Sequence, residues 1–192
     1  MLAIIGRSEI RKKIILLFVY NQRKEFYLSE IARRVNTSAG TAQRELNRLL
    51  SLDFITFSKR GNLNFYKLNE AYSLLREIEA VVRKTIGIEV ELGNGLSKVK
   101  GIRFAFLFGS YAKGDLRSDS DIDLFIVGTP DEDDVYGAVQ KVEDSVGREI
   151  NYHLADEKEF IEKSKTSSFY REILTKPLML VGKEDELREL IR

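Results

Sequence analysis

Apolar residues recur at three- and four-residue intervals through the first fifty positions, and two shorter runs follow in which apolar and polar residues alternate. The helical spacing predicts helices over 9–21, 29–35 and 38–52, with Ser8, Ser29 and either Thr37 or Ser38 as their N-caps. The two shorter runs predict a β-hairpin with strands over 54–57 and 63–68 around the turn residues 59–62. The first third of the chain is therefore expected to hold three helices followed by a hairpin.

The rest of the chain alternates strand-like runs with amphipathic segments. A connecting helix is predicted over 70–86, ended by Gly87, and another helix over about 89–99. The predicted strands cover residues 102–108, 121–127, 149–155 and 178–181. The predicted helices between them cover residues 131–146, 156–163 and 169–175. Strands and helices mixed in this way indicate an α+β fold with a small mixed sheet flanked by helices.

Composition narrows the class of protein only moderately. With 192 residues, 43% of them hydrophobic and 32% charged, the chain is long enough for one large or two small globular domains. The absence of cysteine excludes disulfides, thiolate zinc sites and a cysteine nucleophile. The apolar run 14–19 is too short to cross a bilayer, and the N-terminus lacks the pattern of a cleavable signal. We therefore expect a cytoplasmic protein with no membrane partner.

The net charge of +1 hides an uneven distribution of charge along the chain. Residues 1–69 hold 13 Lys and Arg against 5 Asp and Glu, whereas residues 70–192 hold 18 against 25. A basic first part joined to an acidic second part favours different partners for the two. Uneven solubilising charge is the alternative explanation.

The clearest chemical signal lies between Gly109 and Asp123. Asp121 and Asp123 stand two positions apart in a predicted strand, so their side chains point to the same side. Two neighbouring carboxylates repel unless a cation lies between them, and Mg²⁺ or Mn²⁺ suits such oxygen ligands. Gly109 has no Cβ and would allow a ligand close to the backbone, and Ser110 follows it at a predicted helix start, which suits a phosphate. Metal ligands beside a phosphate site indicate phosphoryl transfer.

This segment resembles the signature of the DNA polymerase beta-like nucleotidyltransferases, in particular the minimal nucleotidyltransferase group. The signature consists of an apolar strand, Gly109-Ser110, a spacer of ten residues, and Asp121-Ile122-Asp123 in a second apolar strand. The resemblance implies Mg²⁺- or Mn²⁺-dependent transfer of a nucleoside monophosphate, expected to be AMP from ATP, onto a protein or RNA hydroxyl. It also implies that Gly109 and Ser110 hold the β- and γ-phosphates. Lys113 and Arg117, in the loop between the two halves of the motif, are expected to contact the triphosphate.

The third predicted strand departs from this family pattern. Active members carry a third acid there as a metal ligand and base, but the position that aligns best is Asn151. An amide oxygen can bind a metal, but an amide is not a useful base at neutral pH. Glu149 could stand in for the acid if the strand is shifted or the acceptor enters from another side, or could be an ordinary solvated residue at a strand start. His153, the only histidine, shares the face of Glu149 and Asn151 and either lines the site or is structural.

Residues 8–69 resemble a winged helix-turn-helix DNA-binding domain, in which the third helix enters the major groove and the hairpin tip reaches a neighbouring phosphate or the minor groove. The matching positions for contacts with double-stranded DNA lie on the third helix and in the hairpin turn: Ser38, Thr41, Gln43, Arg44, Asn47, Arg48, Lys59 and Arg60. Arg44 and Gln43 could read base edges, and the others are expected to position the DNA backbone. The alternative is a solvated helix face and a solubilising turn.

The predicted organisation is a winged helix-turn-helix over residues 1–69, a connecting helix over 70–87 and a minimal nucleotidyltransferase domain over 88–192. Three functions remain open at this point: a DNA-binding enzyme, a transcription regulator whose degenerate domain only binds nucleotide, and a structural interaction protein. Some minimal nucleotidyltransferases act as antitoxins that adenylylate a partner toxin, so the resemblance also allows an antitoxin-like role. The connecting helix could pack on a second copy of the chain in a homodimer.

Overall fold

The computed structural model describes residues 2–114 and 121–192. The chain divides into two compact units. The first contains Met1–Gly87 with Asp144–Gly147, and the second contains Ile88–Glu143 with Arg148–Arg192. Within the described ranges, no helix is long and apolar enough to span a membrane.

The first unit begins with helices and ends with a β-hairpin and a further helix. Its elements are α1 (Leu2–Ile5), α2 (Glu9–Tyr20), β1 (Glu25–Tyr27), α3 (Leu28–Arg34), α4 (Ala39–Ser51), β2 (Ile55–Arg60), β3 (Leu63–Leu68) and α5 (Leu75–Thr85). The three strands form an antiparallel sheet in the order β1-β3-β2.

Two of the three predicted N-caps are confirmed. The Ser8 hydroxyl accepts a hydrogen bond from the Arg11 N–H at 3.3 Å, and the Ser38 hydroxyl accepts one from the Thr41 N–H at 3.2 Å. The prediction that Ser29 caps α3 was wrong. Both the cap and the helix start lie two residues earlier, with Tyr27 at the cap position and no side-chain cap, because β1 runs directly into the helix.

The hairpin has longer strands than predicted. Arg60 pairs with Leu63 in the ladder, so the turn is reduced to Gly61 and Asn62, and Lys59 lies within β2 rather than in the turn. Gly61 has a φ of +58°, the left-handed conformation that a tight two-residue turn requires. β1, which adds a third strand to the hairpin, was not predicted because three residues are too few to show a period.

The second unit is built on a four-stranded mixed sheet. Its elements are α6 (Ile88–Leu96), β4 (Ile102–Phe108), α7 (Gly109–Ala112), β5 (Ile122–Gly128), α8 (Glu132–Val146), β6 (Ile150–Ala155), α9 (Glu157–Thr166), α10 (Ser168–Ile173), β7 (Leu178–Val181) and α11 (Glu184–Leu190). The strand order is β6-β5-β4-β7, with β5 antiparallel to β4 and parallel to β6.

One face of this sheet carries an aromatic core. Phe106 stacks on Phe125 across the ladder with ring centroids 5.6 Å apart, and Phe160 of α9 packs on Phe125 at 5.4 Å. Tyr170 and Ile173 of α10 belong to the same buried cluster. The side chains of β4 and β5 on this face are therefore closely packed along most of each strand, whereas β6 contributes only Ala155 to the buried cluster. The polar residues at the strand ends lie on the same face.

Candidate functional site

Three adjacent strands bring the predicted acidic residues together at one end of the sheet. Asp123 pairs with Phe108 of β4 on one side and with Asn151 of β6 on the other. Asp121 lies just before β5, and its Oδ2 accepts a hydrogen bond of 3.0 Å from the Asn151 Nδ2. Because Asp123 and Asn151 are registered neighbours, the amide of Asn151 contacts one aspartate and lies beside the other. The two carboxylates and the amide therefore form one cluster.

Gly109 has a specific role in this cluster. Its φ is +70°, and a Cβ added there would lie 2.5 Å from the Asp123 Oδ2. The sequence predicted that the missing Cβ makes room for a ligand, but in the structure the Asp123 carboxylate occupies that space. Glycine at this position therefore allows the carboxylate to lie against the start of α7.

The electrostatic setting of Asp123 disfavours its negative charge. Burial raises the pKa of the half-buried Asp123 carboxyl, His153 counteracts this, and the charge of Asp121 raises the pKa further. A cation between the two aspartates would relieve the repulsion and replace the lost hydration. The electrostatics therefore favour a bound cation at this point.

The donor atoms fit a divalent cation such as Mg²⁺. This ion commonly binds one or two protein carboxylates together with substrate phosphates and water, so Asp121 and Asp123 are sufficient protein acids. Among the described residues, no group of three His, Cys, Asp or Glu side chains is close enough to hold a metal. Asn151 could add an oxygen ligand only after half a turn of its amide, because it presents its Nδ2 to Asp121.

Glu149 is not placed beside Asp123. It is exposed and precedes β6, and its backbone carbonyl accepts a hydrogen bond from the Ile122 N–H at 3.0 Å. The register of β5 with β6 begins with Ile122 opposite Ile150, so the strand is not shifted by two residues to bring Glu149 opposite Asp123. Asn151, and not Glu149, is therefore the β6 residue opposite Asp123.

A cavity of about 290 Å³ opens from the acidic cluster. It is lined by Phe108, Gly109, Lys113, Asp123, His153, Phe169, Glu172, Ile173 and Lys176. Four of these residues, on α10 or just after it, were not predicted as site residues: Phe169, Glu172, Ile173 and Lys176. Only Ile173 among them is buried, and nothing in the local sequence places α10 over the end of the sheet.

Two of the predicted phosphate-binding residues, Gly109 and Lys113, line this cavity. Gly109 begins α7, Ser110 is its second residue, and Lys113 follows the helix with an exposed side chain. The Lys113 Nζ lies 3.8 Å from the Glu172 carboxylate across the cavity. Arg117 lies outside the described residues.

His153 lines the cavity and is also packed among rings. Its centroid lies 6.1 Å from those of both Phe108 and Phe125, and 5.5 Å from that of Phe169. His153 is therefore both structural and site-lining: its imidazole packs against aromatic rings and also faces the cavity.

The candidate DNA-binding residues of α4 are partly committed to contacts within the first unit. The Gln43 Nε2 donates hydrogen bonds to the Tyr66 Oη at 3.0 Å and to the Asn47 Oδ1 at 2.8 Å. Reading a base with Gln43 would therefore require those bonds to be exchanged. Arg44 is exposed and donates to the Thr41 hydroxyl at 3.2 Å, which leaves most of its guanidinium donors facing outward.

The remaining candidates on α4 and β2 differ in how strongly they are held. Ser38 and Lys59 are exposed, and Arg48 contacts the buried Glu45 at 3.4 Å. Arg60 pairs with Glu25 at 2.7 Å and lies 5.0 Å from the centre of the Phe65 ring. Arg60 is therefore the most engaged of these residues.

The mixed sheet of the second unit, with paired aspartates at one end, is consistent with the comparison with protein families. The chain belongs to the polymerase beta nucleotidyltransferase family, whose model matches residues 90–186. Members of this family commonly use a nucleoside triphosphate and a divalent metal.

The chain is similar to individual proteins of this kind. It is 40% identical over 79 residues to the "Putative protein adenylyltransferase MJ0604" of Methanocaldococcus jannaschii, a match that spans 41% of this chain and 78% of that protein. Among solved structures, a toxin–antitoxin with AMP-PNP matches 54% of this chain and 81% of its own, at 20% identity and a TM-score of 0.39. The structure of a tri-AMPylated Shewanella oneidensis HEPN toxin in complex with MNT antitoxin is 18% identical. The match covers 54% of this chain and 81% of that chain, with a TM-score of 0.32.

Proposed function

We propose that the second unit transfers AMP from ATP onto a hydroxyl group of a partner protein, with an RNA hydroxyl as the alternative acceptor. The family supports nucleotidyl transfer, and the name of the similar Methanocaldococcus jannaschii protein supports adenylyl transfer to protein. An antitoxin-like role would be one form of this activity. The observation that carries the proposal is the cluster in which Asp121, Asp123 and Gly109 meet at the end of β4 and β5.

In this reaction the acceptor oxygen attacks the α-phosphorus of ATP. A bond forms between them, the bond from the α-phosphorus to the bridging oxygen of the β-phosphate breaks, and pyrophosphate leaves with the electron pair. Gly109 and Ser110 would hold the β- and γ-phosphates, and Lys113 and Arg117 would balance their charge. Asp121 and Asp123 would hold Mg²⁺, which supplies charge neutralisation at the phosphate oxygens when it is bound.

The proton of the acceptor hydroxyl needs a destination, and Asn151 cannot accept it. Glu149 is the acid for which we propose this role, because it precedes β6 at the same end of the sheet. Replacing Glu149 with Gln would test that role.

The direct test is incubation of the full chain with ATP and Mg²⁺ in cell extract, using ATP labelled either at the α- or at the γ-phosphate. Transfer of AMP labels a macromolecule only from α-labelled ATP, whereas phosphorylation labels it only from γ-labelled ATP. Digestion with protease or with ribonuclease then separates a protein acceptor from an RNA acceptor. Absence of macromolecular label with α-labelled ATP would contradict transferase activity.

A second candidate function is nucleotide sensing without turnover, and Asn151 is the observation that favours it. A chain that keeps Asp121 and Asp123 but has no base beside them would still bind Mg²⁺ and ATP. A rise in thermal stability with ATP and Mg²⁺, together with no label transfer, would support this second function.

Asn151→Asp separates the two functions further. A chain that lacks a base, as the sensing function requires, should gain adenylyl transfer at a rate at least about tenfold above background, since a general base contributes about 10²–10⁴ in rate. A chain in which Glu149 already acts as the base should gain little. Initial rates with α-labelled ATP would measure the change. Asn151→Leu, which has a similar size but no carboxylate, is the matched control and should not increase the rate. No increase with Asp would show that the absence of an acid at this position does not limit the reaction.

We further propose that the first unit is a winged helix-turn-helix that binds double-stranded DNA, with α4 in the major groove and the β2–β3 hairpin on the backbone. The order of helices followed by a hairpin, the exposed Arg44 and Arg48 on α4 and the excess of basic residues support this proposal. Lys59 of the hairpin would contact phosphate. Arg60 would do so only after leaving Glu25.

We expect Arg44→Ala to weaken DNA binding about tenfold. We also expect the slope of the logarithm of the DNA-binding constant against the logarithm of the salt concentration to become smaller in magnitude by about one. A salt titration of binding to a double-stranded oligonucleotide pool would measure both quantities. The control is Arg76→Ala, which removes an exposed arginine from α5 and should leave both unchanged. Binding by the unaltered chain that does not depend on salt, or no binding at all, would contradict a DNA-binding role.

A further inference from the structure

We propose that Phe169 stacks against the nucleobase of the bound nucleoside triphosphate. This inference rests on the proposed function, because it assigns a subsite within the cavity that holds the acidic cluster. Phe169 is the second residue of α10 and was not among the predicted site residues. The sequence alone gives it no role beyond an apolar position on a short helix.

The first observation is the exposure of the ring. Phe169 keeps 39% of its surface accessible, although it lies beside an aromatic core in which most rings are fully buried. An exposed ring that faces a cavity offers a flat apolar surface on which a planar group can stack. Single exposed apolar residues are common, so exposure alone does not make a site.

The second observation is that the ring is held in place. Phe169 packs edge-on against Phe108, His153 and Tyr170, with centroid distances of 5.8, 5.5 and 5.7 Å. Phe108 and Tyr170 are themselves buried in the core of the second unit. A ring fixed by three neighbours loses little conformational freedom when a ligand stacks on it, so the surface is pre-organised.

The third observation selects the ligand. Phe169 lines the same cavity of about 290 Å³ as Asp123, Gly109, Lys113 and Lys176. Glu172 also lines the cavity and lies 3.8 Å from Lys113, so the lysine charge is partly balanced in the free chain. An occupant suited to this lining has anionic groups that lie near Lys176 and near the cation proposed at the acidic cluster, and a planar group that lies near Phe169. A nucleoside triphosphate carries both in one molecule, with the base joined through ribose to the phosphates. An aromatic side chain of a protein acceptor would supply the planar group without the anionic one.

The test measures binding without transfer, using a non-hydrolysable ATP analogue and inorganic tripolyphosphate, each with Mg²⁺. We expect Phe169→Ala to weaken binding of the ATP analogue about tenfold, since stacking of one base on an aromatic ring contributes about 1–3 kcal/mol. Binding of tripolyphosphate, which has no base, should not change. Phe169→Trp should keep the affinity for the analogue, and Tyr136→Ala, which removes an exposed ring of α8 outside the cavity, should have no effect.

The outcomes separate this inference from the proposed function. If the unaltered chain binds neither compound, both fail. If the analogue binds equally well to Phe169→Ala and the unaltered chain, the stacking role fails and the proposed function stands. If Phe169→Ala lowers adenylyl transfer but leaves the affinity for the analogue unchanged, the ring contacts the acceptor and our assignment is wrong. Equal loss of affinity for tripolyphosphate would indicate a distorted cavity and would also overturn the assignment.

Discussion

Combined replacement of Asp121 and Asp123 with Asn is expected to reduce adenylyl transfer by about a thousandfold or more. The two carboxylates form the acidic cluster with Asn151 and are the expected ligands of the divalent cation. Charge neutralisation by such a cation contributes several kcal/mol to the transition state, and each 1.4 kcal/mol corresponds to about tenfold in rate. Initial rates with α-labelled ATP would measure the loss.

The same double variant should remain folded. The pKa of Asp123 is raised in the folded chain, chiefly by burial, so its ionised form destabilises the fold at neutral pH. That penalty begins to fall when the pH reaches the raised pKa and is lost once the pH is below the ordinary aspartate pKa of the unfolded chain. Substitution by Asn removes the charge, and the penalty with it, at every pH. We therefore expect a melting temperature equal to or above that of the unaltered chain, measured without metal or nucleotide.

The matched control replaces Asp133 and Asp134 with Asn. Both are exposed acids in the first turn of α8, so the control removes the same number of charges from the same unit. It should transfer AMP at the normal rate. Normal transfer by the Asp121 and Asp123 variant would remove these residues from the mechanism, and unfolding of that variant would contradict the stability argument.

Gly109→Ala is expected to lower transfer about a hundredfold and to destabilise the protein by about 1–3 kcal/mol. The added Cβ would lie 2.5 Å from the Asp123 Oδ2, which forces the carboxylate to move. A displacement of about 1 Å in a catalytic group can reduce the rate by about 10². The φ of +70° adds backbone strain for any residue other than glycine. Transfer rates and denaturant unfolding would measure the two effects.

Gly61→Ala is the control for backbone strain alone. Gly61 has a φ of +58°, and an added Cβ there meets nothing within 4 Å. Gly61→Ala should lower the free energy of unfolding by about 1 kcal/mol and leave the transfer rate unchanged. If Gly109→Ala behaves like Gly61→Ala, the close approach of Asp123 to Gly109 is not required for catalysis.

Much of the fold could be predicted because its elements carry strong local signals. The alternating and continuous apolar runs of β3, β4 and β7 and the caps of α2, α4 and α9 are local features that the sequence displays directly. β1 and the start of α3 could not be predicted in the same way. Three strand residues show no period, and α3 begins without a side-chain cap because the strand leads directly into it.

The candidate site was predictable where its residues belong to the family motif or alternate along a predicted strand, as Asn151 and His153 do. Gly109, Asp121 and Asp123 follow apolar strands at recognisable spacing, so their proximity could be expected. Phe169 and Ile173 line the cavity because α10 packs over the sheet. No local sequence pattern predicts that packing. For Gly109 the location was predictable but the occupant of the free space was not. That required the orientation of the Asp123 side chain.

The parallel pairing of β5 with β6 limits how this protein can be altered by engineering. Side chains alternate between the two faces of a strand, so lengthening or shortening the connection before Ile150 by one residue could bring Ile150 or Tyr152 opposite Asp123. Such a slip would turn Asn151 and His153 away from the acidic cluster and turn apolar side chains into it. In engineered variants, we therefore expect changes in the length of the connection before Ile150 to preserve the site only when they add or remove two residues at a time.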